Sequence, residues 1–430
     1  VKKYPVVARW REDVYLVGAS IYDFQPWVTE GLMPPPANPL TISQPCIRLT
    51  DVDSVGRTGR HLTEFEMMAH HAFGKPGQIP YWNDETVEYC FEFFTKDLGI
   101  RPEKINFIEE MWSGGGNAGE DFEVVVDGIE LATLVFMHYK VAPDGGLIPL
   151  ENLTVDTGYG LERISWVSKG TPTIYDAAMG RVVEKLRELS GYRVADERAF
   201  VEASKLAGSM DVKVAGLRKL REKVAEALGM PVDELERMMR PMESIYALAD
   251  YTRALVFMLG DGIVPSNTGA GYLARLLIRK ALRHRDELGL SLRLSDVVAM
   301  QIEEVSKDFG EYLDVADSIL RMVEVEEDRF RRMLERGRGV VLRLVEEASR
   351  RGAGITEAEL IQLYDSHGLT PEFVASLASE LRVKVEVPDD FFSKVAKLHE
   401  RPSEGAAADE FDWIRRELEE LPPTRPIYYE

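Results

Sequence analysis

The sequence predicts an α+β protein: an antiparallel sheet flanked by helices, followed by a mostly helical region. Three observations carry that reading. Residues 1 to about 190 mix short β-branched and aromatic runs with Pro and Gly breaks. Inside them, "DFEVVVDGIELATLVFMHYK" reads as two strands joined at Asp127-Gly128, a two-residue hairpin signal. From about residue 190 onward, apolar residues recur at helical spacing. The expected domains are therefore 1–190 and 191–430.

Each element follows from local chemistry. "YWNDETVEYCFEFFTKDLG" is an amphipathic helix with an Asn or Asp cap and a terminal Gly. In the second half, "YRVADERAFVEASKLAG", "VDELERMMRPMESIYALADYTRALVFMLG" and "VADSILRMVEVEEDRFRRMLERGRGVVLRLVEEASRRG" are helices by the same periodicity. No internal repeat or long low-complexity segment interrupts them.

Composition narrows the class. The chain has 430 residues, 45% hydrophobic and 29% charged, as a globular protein of two or three domains does. No run of 18 apolar residues and no signal-peptide pattern occurs, so no membrane partner and a cytoplasmic location are expected. The opening Val1 is read as the mark of a fragment. Two cysteines, Cys46 and Cys90, cannot build a disulfide framework or a zinc cluster. Low cysteine with abundant Glu and Arg suits a thermophile. The net charge of -21 excludes nonspecific coating of nucleic acid but leaves room for a local basic face.

Two stretches carry chemistry. "VDTGYGLERI" sets Asp156, Gly158, Gly160, Glu162 and Arg163 within eight positions. On these residues alone, Asp156 is either a helix cap after a glycine turn or the acid of a glycine-floored pocket. "QPCIRLTDVDSVGRTGRHLTEFEMM" has a short strand ending near Arg48, a polar loop, and a second run with Arg60, His61 and Phe65. It is either a hairpin with solvated charges or an anion clamp with an aromatic that stacks on a base. His70 and His71 follow; with no His-x-x-x-His or Cys partner nearby they are read as structural, and no metal site is expected.

Together the two stretches resemble the class II aminoacyl-tRNA synthetases. Arg48, the loop, His61 and Phe65 are similar to their motif 2, and the Gly-x-Gly-x-x-Arg ending at Arg163 to their motif 3. The wording of both, with "ANPLTISQP", "LVFMHY", "ADYTRALVFMLGDGIVPSNTGAGYLARLLIRKALRH" and "LYDSHG", resembles the archaeal alanyl-tRNA synthetases over nearly the whole chain. The family's N-terminal segment, which completes motif 1, and its editing and C-terminal dimerisation domains are expected to lie outside this chain, which stops at "PPTRPIYYE".

The resemblance implies ATP-dependent activation of L-alanine and transfer to tRNA(Ala). It implies ATP contacts from Arg48, His61, Phe65 and Arg163, with the adenine between Phe65 and Arg163. It puts Asp156 on the alanine ammonium, Gly158 and Gly160 on the pocket floor, and Trp112, Met67 and Val135 in its walls. Arg48, Arg163 and Asp156 are the implied catalytic set, with Mg²⁺ bound along with ATP and no protein-bound zinc. "WSGGGNAGE" would be a loop closing over the pocket. In the helical half, Asn267 and Asp365 match the residues that read a G·U acceptor-stem pair, although on composition they are turn and cap residues. Arg275, Arg279 and Arg283 fall four apart, with Lys280 adjacent: either a stripe for RNA phosphates or a face balanced by acids. As a fragment the chain is expected to be monomeric and to lack clearance of seryl- or glycyl-tRNA. An amino-acid activator for another acceptor and a noncatalytic RNA-binding paralogue are the competing readings.

Overall fold

A computed structural model describes residues 1–11, 13–142, 144–193, 196–209, 216–380 and 383–399; "PPTRPIYYE" lies outside them. The chain forms two compact units. The first contains Val1–Arg48 and Glu64–Ala178, the second Leu49–Thr63 and Met179–His399. The division thus falls at Ala178 rather than near residue 190.

The first unit is built on one six-stranded antiparallel sheet in the order β1-β2-β6-β5-β4-β3. The strands are β1 Leu40–Ile47, β2 Glu64–Gly74, β3 Ile105–Gly114, β4 Asn117–Val126, β5 Ile129–Val141 and β6 Leu147–Gly160. Asp127 and Gly128 form the expected β4–β5 turn, with φ of 49° and 78°. The two positive φ values match the twist of the strands, which is why a Gly and an Asp serve there. The "SGGGN" stretch is a second tight hairpin. Gly114 pairs with Asn117, and Gly115 and Gly116 turn at φ of 57° and 86°. It is a strand connection and not a long covering loop.

Alternation along the strands gives the sheet two faces. One packs Ala72, Leu134, Phe136, Val155 and Tyr159 against helix α1, Asn83–Glu92, through Cys90 and the adjoining Phe94. The other carries Ala69, Phe73, Val135 and Met137 against Ile21, Phe24 and Val28, with Trp112 at its margin. Helix α2, Leu161–Lys169, follows β6 directly and ends on Gly170 in the left-handed region.

The second unit is helical. Its principal helices are α3 Leu217–Leu228, α4 Val232–Gly260, α5 Gly269–Glu287, α6 Ala316–Arg351 and α7 Glu357–His367. The long α4 is buried over most of its second half, as its apolar sequence requires. Segment Leu49–Thr63 joins this unit because its backbone finds partners there. Thr63 N donates to Asp250 Oδ1 at 2.9 Å, and Tyr251 Oη donates to the Val52 carbonyl at 2.7 Å. Lys280 Nζ donates to Asp53 Oδ1 at 2.8 Å, under the ring of Phe392 at 4.0 Å. None of the helices described is long and apolar enough to cross a membrane.

Lys280 is buried and the Asp53 side chain is only 10% exposed, so removing one partner strands the other charge. Lys280→Ala should lower stability by about 3–5 kcal/mol. The paired change Lys280→Met with Asp53→Asn should recover most of that. Calorimetric melting of the three proteins checks both statements.

Candidate active site

The register between β2 and β6 assembles the pocket. Met67 pairs with Gly160 and Ala72 with Val155, so the same register sets His71 across from Asp156 and Ala69 across from Gly158. On the far side of β6, Val135 pairs with Asp156 and Thr133 with Gly158. Asp156, Gly158, Gly160, Met67, His71 and Val135 therefore project from one face, the face that also bears Trp112. Asp156 lies inside β6, five residues before the start of α2, whose N-cap is Gly160 without a side-chain bond. The helix-cap reading of Asp156 is thereby excluded.

Between the two registered segments the β2–β6 ladder opens. The Thr157 hydroxyl fills the gap, accepting from His70 N at 2.9 Å and donating to the His70 carbonyl at 2.9 Å. Gly158 is small because Met67 lies against it: a Cβ there would sit 2.9 Å from Met67 Sδ. Trp112 is fixed by the hairpin beside it, where a Cβ at Gly114 would meet its ring at 2.5 Å. Gln25 Nε2 pins the same hairpin, donating to Asn117 Oδ1 at 2.8 Å and to the Gly114 carbonyl at 3.2 Å.

Electrostatics single out Asp156. Burial pushes its carboxyl up to about 7, because an ionised carboxylate loses hydration there. The basic group recorded beside it is His71, with Nδ1 3.4 Å from Oδ1. Burial, and then neighbouring His70, lowers the His71 ring to about 3, so it is neutral. His70 turns to the other face, between the Tyr81 hydroxyl at 2.6 Å and the Tyr159 hydroxyl at 3.2 Å, where it is a packing residue.

The arginines and the ring lie farther along the sheet. Arg48 follows β1 directly, donates from Nε to the Gly18 carbonyl at 2.7 Å, and stands 5.0 Å over the Phe65 ring. Arg163, on α2, donates from Nη1 to Glu130 Oε2 at 2.9 Å and to the Glu130 carbonyl at 3.0 Å. His61 belongs to the helical unit, with Nδ1 2.7 Å from the Thr58 hydroxyl. Glu162 turns inward, and both its oxygens lie 3.1 Å from Glu66 N, which fixes the start of β2 on α2.

Glu130 was not legible in the sequence. The β4–β5 register shifts at Val124/Val125, and this bulge brings Glu130 into the electrostatic environment of Asp121 and Glu123. Burial would raise Glu130, but Arg163 and the Thr133 hydroxyl hold it below the usual carboxylate range. Burial and then Glu110 and Glu130 push Asp121 up to about 6. Burial and the same neighbours raise Glu123. This patch offers oxygen donors of the kind a hard divalent cation takes. The described residues form no preassembled group of three metal ligands.

The second unit carries the other expected residues. Asn267 and Asp365 are both exposed. Helix α5 holds both: Arg275 donates to Asn267 Oδ1, and one turn away Tyr272 Oη donates to Asp365 Oδ1 at 2.8 Å. The three arginines are not an open stripe. Arg275 Nε pairs with Glu326 at 2.7 Å. Arg279 stands 5.8 Å from the rings of both Phe330 and Tyr364. Arg283 pairs with Glu372, and with Glu287 at 3.2 Å. Lys280, read beside them as part of a basic face, is buried. Arg275 and Arg283 meet carboxylates from other parts of the chain while Arg279 stands between rings, so these side chains are largely engaged within the unit.

Comparisons with known proteins agree with this architecture. The family model for tRNA synthetases class II (A) matches residues 1–430. An alanine–tRNA ligase of Pyrococcus furiosus is 54% identical over all of this chain and 48% of its own length. Those of Thermococcus kodakarensis and Pyrobaculum calidifontis are 53% and 52% identical, again over the whole chain and 48% of the relative. The chain spans about half the length of these curated relatives. A family match over the full chain, on a six-stranded antiparallel sheet that presents both sequence motifs, makes this chain a member of the class II tRNA synthetases.

Proposed function

We propose that this chain activates L-alanine with ATP and transfers the alanyl group to the 3′ end of tRNA(Ala). The observation that carries the reading is the Asp156 carboxylate, buried on a glycine floor that Met67 keeps shallow. Such a carboxylate suits a small ammonium, and a floor without side chains suits a methyl group. Asp156 would hold the ammonium, Gly158 and Gly160 the floor, and Trp112, Met67 and Val135 the walls.

In the first step a carboxylate oxygen of alanine attacks the α-phosphorus. The bond to the bridging oxygen breaks, and pyrophosphate leaves with that electron pair. Arg48 offers a guanidinium to the α-phosphate, where negative charge accumulates. The adenine would stack between Phe65 and Arg163, with Glu130 aiming the guanidinium. Asp121 and Glu123 would hold Mg²⁺ together with the nucleotide's phosphates, as one or two carboxylates do for this ion. The bound ion supplies neutralisation of phosphate charge. In the second step a terminal ribose hydroxyl attacks the alanyl carbonyl, and AMP leaves.

For RNA recognition, Asn267 and Asp365 form the reading pair for the acceptor-stem G·U. Asp365 accepts from the exposed guanine amino group, and Asn267 both donates and accepts. Arg275 supports Asn267 directly, while Arg279 and Arg283 order the neighbouring helices and offer their remaining donors to phosphates. An RNA acceptor is supported by two exposed polar side chains that one helix holds in place.

Pyrophosphate exchange across the twenty amino acids tests the activity, and alanine should dominate. Asp156→Ala should reduce kcat/KM for alanine by at least a hundredfold, with the KM for ATP little changed; near-normal alanine kinetics would refute the assignment. The ammonium needs ionised Asp156, and burial pushes that carboxyl up to about 7. As pH falls through that value, kcat/KM for alanine should fall about tenfold per pH unit.

Charging assays test the RNA reading. Asn267→Ala and Asp365→Ala should each slow aminoacylation of a G·U stem about tenfold or more while leaving pyrophosphate exchange intact. A stem with G·C in that place should be nearly indifferent to both changes. Equal loss of exchange and charging would place these residues in folding or catalysis instead.

A further inference from the structure

We infer that His71 is a positioning residue of the amino-acid pocket: its neutral ring, backed by Ser20, holds the Asp156 carboxylate in place while leaving its charge for the substrate. The inference rests on the reading of Asp156 as the ammonium-binding group. It arises from a buried imidazole that the mechanism above does not use.

His71 and Asp156 lie across from each other on β2 and β6, where the Thr157 hydroxyl spreads the ladder. That gap gives the two side chains room to meet at 3.4 Å. On the opposite edge of the ring, Nε2 is 3.2 Å from Ser20 Oγ. The ring is fully buried and packs edge-on against Phe24, with centroids 5.4 Å apart.

The neighbours select the tautomer. Asp156 is an acceptor alone when ionised, whereas a serine hydroxyl can donate. The Val155 backbone also acts on the ring as an acceptor, so the proton belongs on Nδ1, 3.4 Å from the carboxylate, and Nε2 accepts from Ser20. At 3.4 Å from Oδ1, the buried Nδ1 makes no hydrogen bond to the carboxylate. An Nδ1–H bond to the ionised carboxylate would fix which way it faces once an ammonium draws the charge.

Charge explains why histidine serves here. An arginine or lysine would also orient Asp156, but as a salt bridge it would compete with the substrate's ammonium. A neutral donor holds the carboxylate and leaves one unit of negative charge unpaired. Burial keeps the imidazole neutral across the working pH range.

The test uses steady-state pyrophosphate exchange by the chain with alanine and ATP varied separately. His71→Phe keeps the aromatic packing and removes both nitrogens. It should raise the KM for alanine about ten- to thirtyfold while leaving the KM for ATP within about twofold. Because Asp156 loses a donor, the acid limb of kcat/KM for alanine should also move to higher pH. His71→Asn puts an N–H near the position of Nδ1 and should restore most of the alanine affinity. His71→Gln, which reaches toward Ser20 instead, should not. Ser20→Ala should shift alanine KM in the same direction but by less.

An unchanged alanine KM in His71→Phe would overturn the inference. So would rescue by His71→Gln equal to that by His71→Asn, or a matching rise in the KM for ATP. A wild-type chain that exchanges with no alanine would defeat the underlying reading instead. An active wild type, crippled by Asp156→Ala and indifferent to His71→Phe, would defeat the role of His71 alone.

Discussion

The pairing of β2 with β6 is the constraint on which the pocket depends. One register runs through Met67–Gly160 and Ala72–Val155, although the ladder opens between them. A slip of one residue would turn Asp156, Gly158 and Met67 to the opposite face and replace them with Tyr159, Thr157 and Met68. Thr157 makes the opening tolerable, since its hydroxyl satisfies both the N–H and the carbonyl of His70. The strand can then widen locally around a buried acid without leaving backbone groups stranded.

Electrostatics divide the same sheet face into two regions. Around Asp156 there is a buried carboxylate beside a neutral imidazole, a combination that retains negative charge for a ligand. Around Glu130, burial and the neighbouring acids raise Asp121 and Glu123, and Arg163 offsets only part of that at Glu123 while holding Glu130 down. A cation delivered with a phosphate ligand would relieve the repulsion. The two regions thus differ in character: one buried carboxylate beside a neutral ring at Asp156, and a cluster of mutually repelling acids toward β4 and β5.

In the helical unit, charge is spent largely on internal order. Arg275, Arg279, Arg283 and Lys280 all occur on α5, and all meet carboxylates or aromatic rings. Their effect is to position exposed polar groups. Arg275 and Tyr272, three residues apart on one helix, support Asn267 and Asp365 from different parts of the chain.

Much of this was readable from sequence, where short-range rules apply. The Asp127-Gly128 turn, the α1 and α4 helices and the change from sheet to helix each follow from residue types within a few positions. Asp156, Gly158 and Arg163 could be singled out because an acid, two glycines and an arginine stand so close together. Tertiary structure decided what depends on partners distant in the chain. Leu49–Thr63 packs with the helical unit because Asp250, Tyr251 and Lys280 satisfy it. A row of arginines looks the same in sequence whether it faces water or Glu326 and Glu372. Glu130 reaches the site only through a bulge, and His71 gains meaning only from the residue across the sheet, 85 positions later by number. Periodicity and turn chemistry are local properties of a chain, whereas the surroundings of a buried charge are set by whichever strand or helix lies against it.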